Sequence, residues 1–135
     1  MFAFDDLSSV SLQELTSNAN WQSQYRLITQ WGKLIHHKPE LRLETNLLRG
    51  CETLAWLTHV QKNDLHYFSF DSDSKVINGL AALLLSQVNG KTATEIGGIN
   101  LAELLSLVGL EKHLTPSRNN GLRAIIARVD ECVKL

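Results

Sequence analysis

Cysteine and proline are scarce in this chain: two of each in 135 residues, at Cys51 and Cys132 and at Pro39 and Pro116. Two cysteines without an export signal read as free thiols rather than a disulfide framework. The start, Phe4-Asp5-Asp6, is acidic where a signal peptide would be basic, so the expected location is the cytoplasm. Neither sign of charge dominates: 13 Lys and Arg stand against 14 Asp and Glu, a net charge of −1 that lacks the basic excess of a nucleic-acid binder. No apolar run reaches the roughly 20 residues that span a bilayer. Phosphate loops and serine nucleophile elbows are missing. Gly97-Gly98 neither follows a strand nor carries the other glycines of a dinucleotide fingerprint. No repeat, low-complexity tract or linker divides the chain. What is present, 44% hydrophobic and 20% charged residues, suits one globular domain with a true core.

The pattern of apolar residues predicts the elements. Ser11 caps a short helix over 11–16, with Glu14 placed for a capping box. Asn20 caps a longer helix over 21–35, whose core face carries Trp21, Tyr25, Ile28, Trp31 and Ile35. His36, His37 and Pro39 close it as a solvated end. Two alternating runs, 54–61 and 65–70, flank the turn residues Asn63 and Asp64 and predict a β-hairpin. Asp71-Ser72-Asp73-Ser74 ends the second strand and caps the next helix, with the two carboxylates read as capping groups. That helix, 75–88, is apolar nearly all round and reads as the central core helix. Gly79 within it costs about 1 kcal/mol against alanine, which predicts close approach of another element. Gly90 suits a left-handed cap and Thr92 caps a short turn. A small amphipathic helix covers 101–108. Thr115-Pro116 starts the last helix, on whose apolar stripe Cys132 reads as a buried, inert thiol.

Cys51 carries the chemistry. It follows Gly50, which turns the backbone with positive φ, and precedes the strand that contains Trp56. A thiol at this place is either a small gap-filling hydrophobe or a reactive group presented from a rigid element. Arg49 and Arg118 are the candidate cations that favour its thiolate. Zinc would need clustered cysteines and histidines, and the five histidines are scattered or paired, so no metal is expected. A thiol hydrolase or transferase would pair Cys51 with His59 or His66 as base. A regulatory binding module would leave Cys51 merely buried.

Four stretches occur together: Trp21 and Tyr25 in the first long helix; Gly50-Cys51 followed by Trp56; Asp71-Ser72-Asp73 leading to Gly79-Leu80; and His113-Leu114-Thr115-Pro116-Ser117-Arg118 with Gly121-Leu122. In this order and spacing they resemble the SufE/CsdE family of sulfur acceptors for cysteine desulfurases. The resemblance covers nearly the whole length. It implies an α+β fold, with helices packed on a small antiparallel β-sheet, as a single domain over 1–135. It further implies that a pyridoxal-phosphate cysteine desulfurase is the partner and that the chain itself holds no cofactor. Cys51 would accept persulfide sulfur, stimulate the desulfurase and pass sulfur to an iron–sulfur scaffold or another acceptor. Arg49, Gly50 and Glu52 would support or present the cysteine loop, Asp73 would lie near it, and Arg118 would face the partner. The loop would tuck its thiol against an apolar surface at rest and swing out in the complex. The chain departs from the family at Thr53 and Leu54, where a small polar residue and then glutamine or arginine are usual.

Overall fold

The computed structural model describes residues 4–18, 20–50, 53–107 and 109–134. Within them the helices are α1 (Leu12–Ser17), α2 (Trp21–Gly32), α3 (Lys75–Val88), α4 (Ala93–Gly97), α5 (Leu101–Leu107) and α6 (Pro116–Val133). The strands are β1 (Ala55–Lys62) and β2 (Leu65–Ser72), and single 3-10 turns occupy Pro39–Leu41, Glu44–Asn46 and Leu110–Lys112. This is the expected α+β arrangement of helices on a small antiparallel sheet.

The central helix is α3. Ser74 caps it by accepting from the Ile77 N–H at 3.2 Å, and Gly90 turns the chain beyond it at φ 76°. Its apolar faces pack on α2, β2 and α6. The α2–α3 crossing is a backbone contact made possible by two glycines. A Cβ on Gly79 would lie 1.9 Å from the Ile28 carbonyl oxygen, and one on Gly32 would lie 2.2 Å from the Lys75 carbonyl oxygen. The close approach expected at Gly79 is therefore found, and its reciprocal partner is Gly32. α2 ends at Gly32 instead of Ile35, and Leu34 and Ile35 continue as tighter turns, donating to the carbonyls of Trp31 and Gly32 at 2.9 and 3.3 Å.

The hairpin turns through Asn63 and Asp64, both left-handed at φ 53° and 65°, the two-residue geometry that matches strand twist. Its register runs from Lys62 opposite Leu65 to Ala55 opposite Ser72. Ala55, Leu57, Phe68 and Phe70 face the helical core. The opposite face, with Trp56 and Asp71, is covered by the segment after α2. Strand β2 runs through Ser72, longer than the 65–70 expected, because Asp71 and Ser72 still pair with β1. Both edges of the sheet are protected. Asn89 and Lys91 bond β2, through Phe68 N–H to Asn89 Oδ1 at 2.7 Å and His66 N–H to the Lys91 carbonyl at 2.8 Å. On the other edge, Leu47 bridges Trp56.

Candidate functional site

Cys51 and Glu52 lie outside the described residues, so the expected resting place of the thiol and the part played by Glu52 are not placed here. The two stems around them are described. The Leu48 N–H donates to the Ala55 carbonyl at 2.9 Å, and Leu47 pairs antiparallel with Trp56. Ser72 Oγ donates to the Leu54 carbonyl at 2.8 Å, and Arg128 of α6 donates from Nη2 to the Leu47 carbonyl at 3.3 Å. The segment 49–54 is thus a short connection closed at its base, with each stem tied to a rigid element. Gly50 has the expected positive φ, 85°, and among the described residues beyond its chain neighbours nothing lies within 4 Å of a Cβ built on it. Arg49 and Gly50 are exposed, as is Leu54 at 55%.

Beside the stems sits a charged network that local sequence reading missed. Arg42 donates from Nε to Asp71 Oδ2 at 2.9 Å and from Nη2 to Asp73 Oδ1 at 2.7 Å. The flat face of its guanidinium lies 4.4 Å from the centroid of the Trp56 ring, a cation–π contact. Asp71, 1% exposed, also accepts from the Lys38 N–H at 3.1 Å, and His37 Nδ1 stands 3.1 Å from the same oxygen. The hydrogen bond from Arg42 holds the Asp73 carboxyl below its ordinary range, and the guanidinium is correspondingly harder to deprotonate.

The capping role expected of Asp71 and Asp73 is corrected by this geometry. Ser74 is the cap. The alternation of β2 sends Asp71 to the Arg42 side, and Asp73 follows just beyond the strand. Ser72, between them, reaches the loop stem. Asp73 accordingly stands next to Ser72, the residue that bonds the Leu54 stem.

Arg118 begins α6, where Thr115 Oγ1 accepts its N–H at 3.3 Å. Its guanidinium lies 5.9 Å from the Tyr25 ring centroid, and with Trp21, Gln22 and Arg26 it lines a shallow surface cleft. The α6 arginine that touches a stem is Arg128, about 15 Å further along the helix axis at ~1.5 Å per residue. His59 and His66 bond each other, Nε2 to Nδ1, at 2.7 Å. His59 lies about 13 Å up β1 from the Ala55 stem at ~3.3 Å per residue, and His66 lies nearer the turn. Cys132 is half-buried against the core where a fully buried thiol was expected, and that burial pushes its thiol up. Among the described residues no group of three or more His, Cys, Asp or Glu is arranged to hold a metal ion. No helix among them is long and apolar enough to cross a membrane.

A family model described as the SufE Fe-S metabolism associated domain matches residues 10–133. The chain belongs to the SufE family. Among relatives of this SufE-family chain, an uncharacterized SufE-like protein of Rhizobium etli is 35% identical over 124 residues, covering 86% of this chain and 82% of that protein. A SufE-like protein of Haemophilus influenzae is 34% identical over 116 residues, 84% of this chain and 92% of its own. The sulfur acceptor protein CsdE of Escherichia coli is 35% identical over 108 residues, 78% of this chain and 73% of its own. The SufE-family fold extends to the solution structure of a hypothetical protein from Thermus thermophilus, with a TM-score of 0.75 at 17% identity over 98% of this chain and 96% of that one.

Proposed function

We propose that this protein is a sulfur acceptor: Cys51 takes sulfur from a pyridoxal-phosphate cysteine desulfurase and hands it on toward iron–sulfur cluster assembly. The observation that carries the reading is the SufE-family match across 10–133, joined to a cysteine within a connection whose stems are tied to β1, β2 and α6. The desulfurase supplies a persulfide on its own cysteine. The Cys51 thiolate attacks the outer sulfur. The bond between the two donor sulfurs breaks, the donor cysteine leaves as a thiolate and takes a proton, and a persulfide forms on Cys51. No external oxidant or reductant is consumed. Transfer to the next acceptor repeats the exchange.

Removing sulfur from the desulfurase frees it for another turnover, which is how a carrier stimulates its partner without being a stand-alone enzyme. Arg49 and Arg118 are the candidate cations for the thiolate and for the partner, and Glu52 and Asp73 support the loop. The proposed reaction belongs to the cytoplasm, where both cysteines stay reduced. A Cys–His hydrolase has less support, because His59 and His66 pair with each other toward the turn end of the hairpin.

Intact-mass spectrometry after incubation with the desulfurase and cysteine tests the reading. A gain of one sulfur, mapped to Cys51, absent in Cys51→Ser and reversed by a thiol reductant, is the expected result. An unmodified Cys51 beside a desulfurase shown to be active and to bind the protein would sink it.

A further inference from the structure

Building on the sulfur-acceptor reading, we propose that Arg42 is a positioning residue for sulfur transfer, acting through Trp56 on the two stems that present Cys51. Three observations converge on it. The guanidinium is used on both its edge and its face: the edge bonds Asp71 and Asp73 at 2.9 and 2.7 Å, and the face covers Trp56 at 4.4 Å. Lysine matches the charge but has neither the planar fork nor the flat face. Next, Trp56 is shared between the stems. It belongs to β1, pairs with Asp71 on one side and bridges Leu47 on the other. The adjoining bond, Leu48 N–H to the Ala55 carbonyl, closes the base of the connection. The Trp56 backbone thus links both stems, and the indole it carries lies under the Arg42 guanidinium. Last, the residues that grip Arg42 flank Ser72, whose hydroxyl holds the Leu54 carbonyl at 2.8 Å. One strand end thus fixes the clamp and one stem at once.

The function follows from the reaction. Attack on a persulfide requires the incoming sulfur to approach along the axis of the breaking S–S bond. A misplacement of about 1 Å in such a reaction costs on the order of a hundredfold in rate. Only fixed stems can deliver a short connection to that geometry repeatedly. Among the described residues the face of Arg42 meets Trp56, and its effect runs through that contact.

Single-turnover transfer from a persulfide-loaded desulfurase, read by quenched mass spectrometry, tests the proposal. Wild type, Arg42→Lys, Trp56→Phe and the double variant are compared at a temperature where circular dichroism shows each folded. Arg42→Lys is expected to lower the maximal transfer rate about tenfold or more, with the half-saturating acceptor concentration within about twofold of wild type. The double variant should be no slower than the slower single one, since both act through one contact. Should Arg42→Lys fail to fold, Asp73→Asn, at an exposed partner of the clamp, carries the same test with a smaller loss. Wild-type maximal rates in these variants, or multiplicative losses in the double variant, would overturn the inference alone. A wild-type protein that accepts no sulfur would overturn the sulfur-acceptor reading and this inference with it.

Discussion

Gly79 of α3 and Ile28 of α2 meet backbone to backbone: a Cβ added at Gly79 would stand 1.9 Å from the Ile28 carbonyl oxygen. No rotamer change relieves a clash between two backbones. Gly79→Ala is therefore expected to cost at least about 3 kcal/mol, at the upper end for overpacked cores. Gly32→Ala, 2.2 Å from the Lys75 carbonyl oxygen, should behave alike. Gly50→Ala, with open space among the described residues but positive φ, should cost only about 1–2 kcal/mol. Urea unfolding of the three variants measures the contrast. A mild Gly79→Ala would mean that the helices can separate without penalty.

Lys38 is buried at 3% exposure, pairs with Asp5 and donates from Nζ to the Phe70 carbonyl at 2.8 Å. Lys38→Met leaves the buried Asp5 carboxylate without its lysine, with His36 as its remaining partner among the described residues at 3.0 and 3.1 Å. The expected loss is about 3–5 kcal/mol. Replacing both, as Asp5→Leu with Lys38→Met, should recover part of it, because the buried charge is gone. Denaturant midpoints of the two single variants and the pair decide this, and a pair as weak as Lys38→Met alone would contradict it.

The histidine pair makes stability depend on pH. Burial, and then the neighbouring His66, lowers the His59 pKa below its ordinary 6.5. The unfolded chain thus binds the His59 proton more tightly than the folded one. This contribution is fully present above about pH 6.5 and is lost as pH falls through the lower folded value. Thermal unfolding between pH 8 and pH 5 should show stability dropping on acidification, and His59→Phe should flatten the part of the drop that His59 causes. An unchanged slope in that variant would assign the dependence elsewhere.

Cys132 should be the slower of the two thiols. Burial raises its pKa, and its thiolate is correspondingly rare at neutral pH. Under the proposed function, limiting iodoacetamide at pH 7 should label Cys51 well ahead of Cys132 in peptide maps. Cys132→Ser should leave sulfur acceptance intact. Preferential labelling of Cys132 would count against a reactive Cys51.

Much of the fold was legible because short-range rules wrote it. The 75–88 helix was bounded by the capping run Asp71-Ser72-Asp73-Ser74 and a glycine able to turn left-handed, and α3 occupies that range. Asn63-Asp64 marked the hairpin turn, Thr92 and Thr115 marked two helix starts, and Gly79 marked a close crossing. Each signal acts over a few residues through steric allowance or a local hydrogen bond. The site was legible in part. Gly50 and Cys51 stood out from the residues themselves and Asp73 only through the resemblance, whereas Arg42, Lys38 and Arg128 did not stand out. Arg42 lies between two leucines in a segment of 3-10 turns, where no hydrophobic period reports which face is covered.

Sequence by itself determined the element types, the central helix, the cysteine worth testing and the family likeness, because periodicity, caps and motif order are local properties of the chain. Tertiary structure decided the partners of the charges. Asp71 and Asp73, locally good capping residues, instead grip an arginine from a segment earlier in the chain. A cap competes for its helix only with nearby donors. The wrap of residues 36–46 over the second face of the sheet delivers a stronger, charge-assisted donor to both carboxylates. No pattern within a few residues of Asp71 encodes that arrival.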